Sequence, residues 1–449
     1  MAHSREAWQE CFEGVEYVHV ECLDLNGIAR GFLADIDHYK KNEKSGFGMI
    51  GHHLQLDFKG NQIEYEGEDR KNVIYNNGTI FPDPSTFVKN GWNPKIANVI
   101  SNFQMNDDSY LQSCCPRSVC QNQVKRLEDA GYKYLSSFEY EFQLLKDRKI
   151  PNVSLNLDYC IDTHKMFEPV AIDIMKNMKM MGLKPERFLH EHRTALLEIT
   201  MNATFGISGA DQGYRFKQIV KDVSKLHDYQ ATFMTKPNSV DVAQEGHNNH
   251  SLWDSTGQVN LFSDVTREDK LSDLARFWIG GLRHHAQALS AFCSPTTNCD
   301  PSHEAGTLWC ISTNHWGFDN RTAAFRVKTA SPKATFVENR MSSSCANSYL
   351  LTAATIIAGL DGIKRKLEPG EPTSINALYL DESTYQKIPA KLEDRLQALE
   401  KNSLFKEHLG ERLVSNFVAL KRVEIYEMFR AKCVGKLTEW FDEYYMDNC

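Results

Sequence analysis

Short apolar runs bounded by turn residues fill the first hundred positions, and helical repeats of apolar residues take over later in the chain. Tyr17 to Leu23 is an apolar-rich run followed by Leu25-Asn26-Gly27, which supplies turn chemistry, and Ile63 to Tyr75 has β-type composition around Gly67. These features predict a compact strand-rich N-terminal unit. Phe81-Pro82-Asp83-Pro84-Ser85 then interrupts regular structure, and Cys115-Pro116-Arg117 opens a helical pattern in which Val119, Val124 and Leu127 recur before Gly131. A boundary is expected near residue 112, dividing the chain into domains 1–112 and 113–449.

Beyond it, strand-like runs (Tyr134 to Leu145, Leu196 to Met201, Gln230 to Met234, Ala323 to Lys328, Thr335 to Arg340) alternate with longer helical ones, as in a mixed α and β domain. Leu271, Leu274, Trp278 and Leu282 recur at helical spacing and read as core packing. Tyr349 to Ile363 and Lys391 to Tyr445 are also helical, the latter with a charged, solvated face. No internal repeat or low-complexity segment is present.

Composition narrows the class. The 449 residues are 41% hydrophobic and 24% charged, the balance of a globular protein. A net charge of −8 without a dense basic run argues against a nucleic-acid partner. No stretch approaches the roughly 18 apolar residues of a membrane span, and the first residues lack the layout of a secretion signal, so the expectation is a cytoplasmic protein with no membrane partner. The 12 scattered cysteines read as reduced thiols, and Cys114, Cys115 and Cys120 lack the paired CxxC element of a thiolate metal site.

The chemistry concentrates in carboxylates. In Phe138-Glu139-Tyr140-Glu141-Phe142, strand alternation puts Glu139 and Glu141 on one face and the aromatics on the other. Two carboxylates there need positive charge, from a divalent cation or from a Lys or Arg neighbour. Glu191 and Glu198, seven positions apart, are either two turns along a helix, too far apart for one ion, or the two arms of a hairpin. His247 lies in Gly246-His247-Asn248-Asn249-His250, before Ser251, and Glu338 shares a strand face with Arg340. Such a set suits Mg²⁺ or Mn²⁺. Arg321, Arg326 and Arg340 could clamp a phosphoryl group beside metal ions, although any one alone reads as surface ion pairing. No GxxxxGK[ST] loop occurs, so a phosphate would rely on metals and arginines.

Taken in order, FEYEF, HEHRTALLE, ATFMTKP, GHNNHSLW, NRTAAFRV and ENRMSSSCANSYLLTAATIIAGLDGI resemble the class I glutamine synthetases over nearly the whole chain. SSFEYEF, FGISGADQGY and IPAKLEDRLQALE are most similar to the lengsin branch of that superfamily. The resemblance implies an α+β fold: a small N-terminal β-grasp domain, then a catalytic domain with a curved antiparallel sheet and surrounding helices. It also implies a ring-type homo-oligomer with active sites shared between subunits, ATP as co-substrate, and Mg²⁺ or Mn²⁺ at two positions. Glu141, Glu191 and Glu198 match the first metal's ligands, and Glu139, His247 and Glu338 the second's. Arg321, Arg326 and Arg340 match residues that steady ATP, the transferred group and the acyl substrate. Ser251 matches a nucleotide contact, Asp24 the aspartate that helps bind ammonium across the subunit interface, and Glu304 the flap glutamate.

The departures fall on the substrate side. Val242-Ala243 replaces an asparagine-glycine pair, Asn249 a second histidine, Ala195-Leu196 a glycine-glutamine pair and Phe336 a phosphate arginine. Asn298-Cys299-Asp300-Pro301-Ser302-His303-Glu304 stands where the family carries the arginine that grips the glutamate α-carboxylate. Two expectations follow. One is an ATP- and metal-dependent carboxylate–amine ligase with an altered acid and amine pocket, the γ-glutamyl-amine type being one form of it, and a poor glutamine synthetase. The other is a catalytically inactive, lengsin-like structural or partner-binding assembly.

Overall fold

The computed structural model describes residues 11–63, 77–105, 114–151, 159–191, 196–237, 243–303, 311–446 and 449. Among the described residues six N-terminal strands form one sheet: β1 (Tyr17–Leu23), β2 (Ala29–Asp35), β3 (Phe47–Ile50), β4 (Asn77–Pro82), β5 (Val88–Lys89) and β6 (Ile96–Met105). Their order is β2-β1-β6-β4-β3, with β5 beside β6; β1 and β6 run parallel and every other pair antiparallel. Most of the Ile63 to Tyr75 run expected to be β lies outside the described residues.

The second sheet holds β7 (Tyr132–Leu145), β8 (Pro185–His190), β9 (Leu196–Met201), β10 (Thr204–Phe205), β11 (Gln230–Thr232), β12 (Gly246–Asp254), β13 (Trp316–Phe318), β14 (Phe325–Thr329) and β15 (Thr335–Asn339). The order is β13-β14-β15-β12-β7-β9-β8, and among the described residues only the β13–β14 pair is parallel. The reason β7 sits at the centre is visible in its sequence. Phe138, Tyr140 and Phe142 are fully buried, Phe138 stacked on Tyr140 and the latter two packed against Phe216 and Phe233, so the carboxylates of Glu139 and Glu141 must take the opposite face.

Helices cover the sheet's aromatic side. The Asp273–His284 helix, capped by Ser272, crosses the Ser348–Arg365 helix closely enough that a Cβ on Gly281 would lie 2.1 Å from the Ala358 carbonyl oxygen. Trp278 fills the space that Gly359 leaves open. Lys391 to Tyr445 is indeed helical, as four segments from Leu392–Lys401 to Leu437–Tyr445.

A buried arginine ties the two sheets together. Arg117, 1% exposed, grips Asp211 through Nε (2.8 Å) and Nη2 (2.9 Å) and reaches Asp83 (2.8 Å) and Asn102 (3.2 Å) on the N-terminal side. The Tyr349 hydroxyl completes the cluster by donating to Asp211 at 2.6 Å. The guanidinium's donors are thus matched to acceptors on both sides of the junction.

Candidate active site and metal centre

The site is built on β7, β12 and β15. Register places His247 opposite Glu139, and Asn249 opposite both Ser137 and Glu338. Ligand atoms of Glu139, His247 and Glu338 consequently gather within 4.8 Å of one another, the only such His, Cys, Asp or Glu cluster among the described residues. Nδ1 of His247 lies 3.4 Å from Glu338 and 3.8 Å from Glu139, while its Nε2 is buried without a hydrogen-bond partner among the described residues. Local sequence makes this possible at Gly246. A Cβ there would come within 2.6 Å of the Ser343 carbonyl oxygen, so only glycine lets the 343–344 backbone lie against the start of β12.

Cations surround Glu338, which is 1% exposed. Arg326 Nη1 is 3.0 Å away, Arg340 Nη1 donates to the other oxygen, and Lys328 Nζ stands at 3.7 Å. Burial would raise the Glu338 carboxyl, but His247, Arg340, Arg326 and Lys328 outweigh it and hold the group down at about 2. Burial and Arg340 push His247 below its ordinary value, so the imidazole is neutral at pH 7 and fit to donate an electron pair to a metal. Carboxylate oxygens and a neutral imidazole, one nitrogen of which lacks a partner, form a donor set that fits Mg²⁺ or Mn²⁺.

Glu141, Glu191 and Glu198 occupy the neighbouring end of the sheet. Glu141 pairs directly with Glu198 across β7 and β9, and β8 and β9 form the two arms of a hairpin, so the hairpin alternative for Glu191 and Glu198 is the one realised. The three do not converge as tightly as the Glu139 group. Burial and repulsion from Glu139, Glu141 and Glu191 push Glu198 well up, and burial with Glu245 and Glu191 does the same to Glu141. Positive charge between them would relieve both costs. Glu191 accepts a 2.8 Å hydrogen bond from the Tyr159 hydroxyl, and the positive charge of the exposed Arg321 acts on that hydroxyl, which places Arg321 on the Glu191 side.

The remaining expected residues divide. Ser251 lies on the His247 face of β12, buried, its Oγ accepting from Trp253 at 3.0 Å. Arg326 binds Asp319 as well as Glu338, and Arg340 keeps a buried Nε without a partner among the described residues. Asp24 is fully buried in its own chain, where its carboxylate accepts from the Asn26 and Ile28 amides and Arg30, each at 2.9 Å. Burial raises it to about 6 against the pull of Arg30. It is held as the anchor of a turn. Glu304, Val242 and Ala195 lie outside the described residues.

Sequence reasoning missed Lys328 and Glu245. Strand alternation could have found both, since Lys328 is two positions from Arg326 and Glu245 two from His247. Glu245 is half-buried, desolvation pushes its carboxyl up to about 8, and its amide donates to Glu141 at 2.7 Å.

The family model for the glutamine synthetase catalytic domain matches residues 113–434. Human lengsin is 29% identical over 452 residues, covering 98% of this chain and 86% of that protein. The glutamine synthetase of Pyrococcus horikoshii is 32% identical over 453 residues, covering 96% of each. A solved GmaS/ADP complex superposes with a TM-score of 0.83 at 26% identity, covering 97% of this chain and 98% of that one. The chain belongs to the glutamine synthetase family. Its α+β architecture is the fold of that family's solved members. Among the described residues, no helix is long and apolar enough to cross a membrane.

Proposed function

We propose that this protein is an ATP- and divalent-metal-dependent carboxylate–amine ligase whose acid and amine pocket differs from that of a glutamine synthetase. The observation that carries the reading is the Glu139–His247–Glu338 cluster, set beside Arg326 and Arg340. Glu139, His247 and Glu338 would hold one Mg²⁺ or Mn²⁺, and Glu141, Glu191 and Glu198 a second. Bound metals would neutralise charge on the nucleotide phosphates and the acceptor carboxylate.

The protein's own groups supply the rest. Arg321 and Arg326 orient the nucleotide with Ser251, and Arg340 stabilises charge developing as the γ-phosphoryl group passes to the acid. An amine then displaces phosphate from the acyl phosphate and leaves an amide. Glu304 would cover the activated acyl group and keep water out. A ring-type homo-oligomer completes the site, and light scattering should report many chains per particle.

A second reading, a non-catalytic lengsin-like assembly, has its own support. Arg326, Arg340 and Lys328 already neutralise Glu338, so the cluster can persist without a metal. Thermal unfolding with a non-hydrolysable ATP analogue and Mn²⁺ separates the two readings. The ligase gains stability from the pair together, and Glu139→Ala with Glu338→Ala loses that gain. An unshifted wild-type protein would favour the assembly.

A further inference from the structure

Cys299 and Cys345 meet in the protein interior with their Sγ atoms 3.5 Å apart, although 46 positions separate them in the chain. Hydroxyls surround the pair: Thr235 Oγ1 is 3.1 Å from Cys299 and 3.4 Å from Cys345, and Ser343 Oγ is 3.4 and 3.1 Å from the same sulfurs. Cys449 also reaches Cys345. The two thiols differ in access. Cys299 is 0% exposed, whereas Cys345 is 7% exposed and lines a cavity of about 210 Å³ with Lys217, Lys221, Asn347 and Cys449.

The three thiols are not a metal site, because the only group of three ligand atoms in mutual reach among the described residues is the Glu139 cluster. What the geometry favours is pairwise chemistry. We propose that Cys299 and Cys345 are an oxidation site, in which a small hydroperoxide entering the cavity is reduced and the two cysteines become a disulfide.

The step balances in two parts. Cys345 sulfur attacks the distal peroxide oxygen, the O–O bond breaks, and the alcohol or water leaves with a proton, giving a sulfenic acid. Cys299 sulfur then attacks that sulfur, an S–S bond forms and water departs. Two thiols have lost two electrons and two protons to the peroxide. Lys217 lines the same cavity. Its Nζ sits 4.3 Å over the Tyr140 ring and donates to the Ala346 carbonyl at 3.0 Å, and burial lowers its ammonium to about 8. Burial raises the Cys299 thiol, and for Cys345 the lowering by Cys299 is outweighed by Cys449 and burial. The reaction is therefore slower than at a free thiolate.

A disulfide here would tether two segments that frame the site. Cys299 belongs to the Thr297–His303 turn, which the Glu424 carboxylate holds through the Thr297 amide at 2.7 Å. Cys345 follows Ser342 and Ser344, whose backbones bond Gly246 (2.8 Å) and Gln244 (3.1 Å) at the start of β12.

The test is to treat the reduced full-length chain with a modest excess of hydrogen peroxide and follow it by intact mass, thiol titration and non-reducing peptide mapping. The expected result is loss of two thiols and two hydrogens per chain, with a Cys299–Cys345 crosslinked peptide that dithiothreitol reverses. Cys433→Ser, which removes an exposed thiol, should give the same crosslink. Cys299→Ser should stop at a Cys345 sulfenic acid that dimedone traps. Wild-type protein in which Cys299 and Cys345 remain alkylatable while Cys433 gains oxygen would overturn the proposal, and so would a Cys345–Cys449 crosslink in place of the expected one.

Discussion

Asn249 donates a 2.7 Å hydrogen bond to Oε1 of Glu139. The resemblance sets Asn249 against a second histidine of the family, and here its amide orients one of the three clustered ligands. Partners of metal ligands typically contribute 10–100-fold in affinity. Asn249→Ala should therefore weaken Mn²⁺ binding by about tenfold or more, measured by calorimetric titration. Unchanged affinity would mean that Glu139 is positioned by its strand alone.

Glu338 is the common counter-ion of Arg326, Arg340 and Lys328. Glu338→Gln leaves buried guanidinium groups uncompensated, and removing one partner of a buried pair costs about 3–5 kcal/mol. Urea denaturation without metal should show a loss of that size. A variant as stable as wild type would show that solvent already screens these charges.

Arg117 joins the N-terminal sheet to the catalytic core through Asp83 and Asp211. Arg117→Met should destabilise the chain by a similar ~3–5 kcal/mol, because Asp211 is buried and loses its counter-ion. Limited proteolysis should then cut between the sheets before the catalytic core opens. Cleavage kinetics identical to wild type would contradict the assignment.

Acid should destabilise the fold through His250. Trp278 Nε1 donates to its Nε2 at 3.0 Å, so that nitrogen must be an acceptor, while Nδ1 faces the Asn248 carbonyl oxygen at 3.2 Å. Protonation would set donor against donor, and burial lowers the group to about 4. The unfolded chain binds this proton below about 6.5 and the folded chain does not. The contribution is thus intact above pH 6.5 and is lost as pH falls toward 4. His250→Gln should flatten that part of the stability profile, and an unchanged slope would assign the acid sensitivity elsewhere.

Local pattern made much of this legible. The Tyr17–Leu23 and Leu196–Met201 strands fall where the apolar runs end, and the alternation of Phe138-Glu139-Tyr140-Glu141-Phe142 assigns both faces of β7 correctly. Register was not legible, because pairing is set by contacts far apart in sequence. Nothing near Glu338 announces that Lys328 and Arg326 will reach it from β14, and Asp24 gives no sign in sequence that its own Arg30 will occupy it. The Glu191–Glu198 spacing allowed helix or hairpin until the partner strand was known.

Substrate choice should follow the departures. Leu196 is a buried apolar residue that the resemblance sets against a glutamine of the family, and recognition of a small zwitterion loses about 1–3 kcal/mol for each polar contact missing. With glutamate and ammonium, turnover should fall below about one per second, the low end of ordinary enzyme rates. A larger amine or a less polar acid should do better. Glutamine formation at ordinary rates would show that other residues grip glutamate.

The central claim is most directly tested by phosphate release from ATP with Mg²⁺ or Mn²⁺ across a panel of acids and amines, with amide product measured in parallel. The account predicts release that requires acid, amine and metal together, matches amide formed mole for mole, and disappears in Glu139→Ala with Glu338→Ala. No phosphate and no amide from any pair, in a correctly folded and assembled protein, would contradict it.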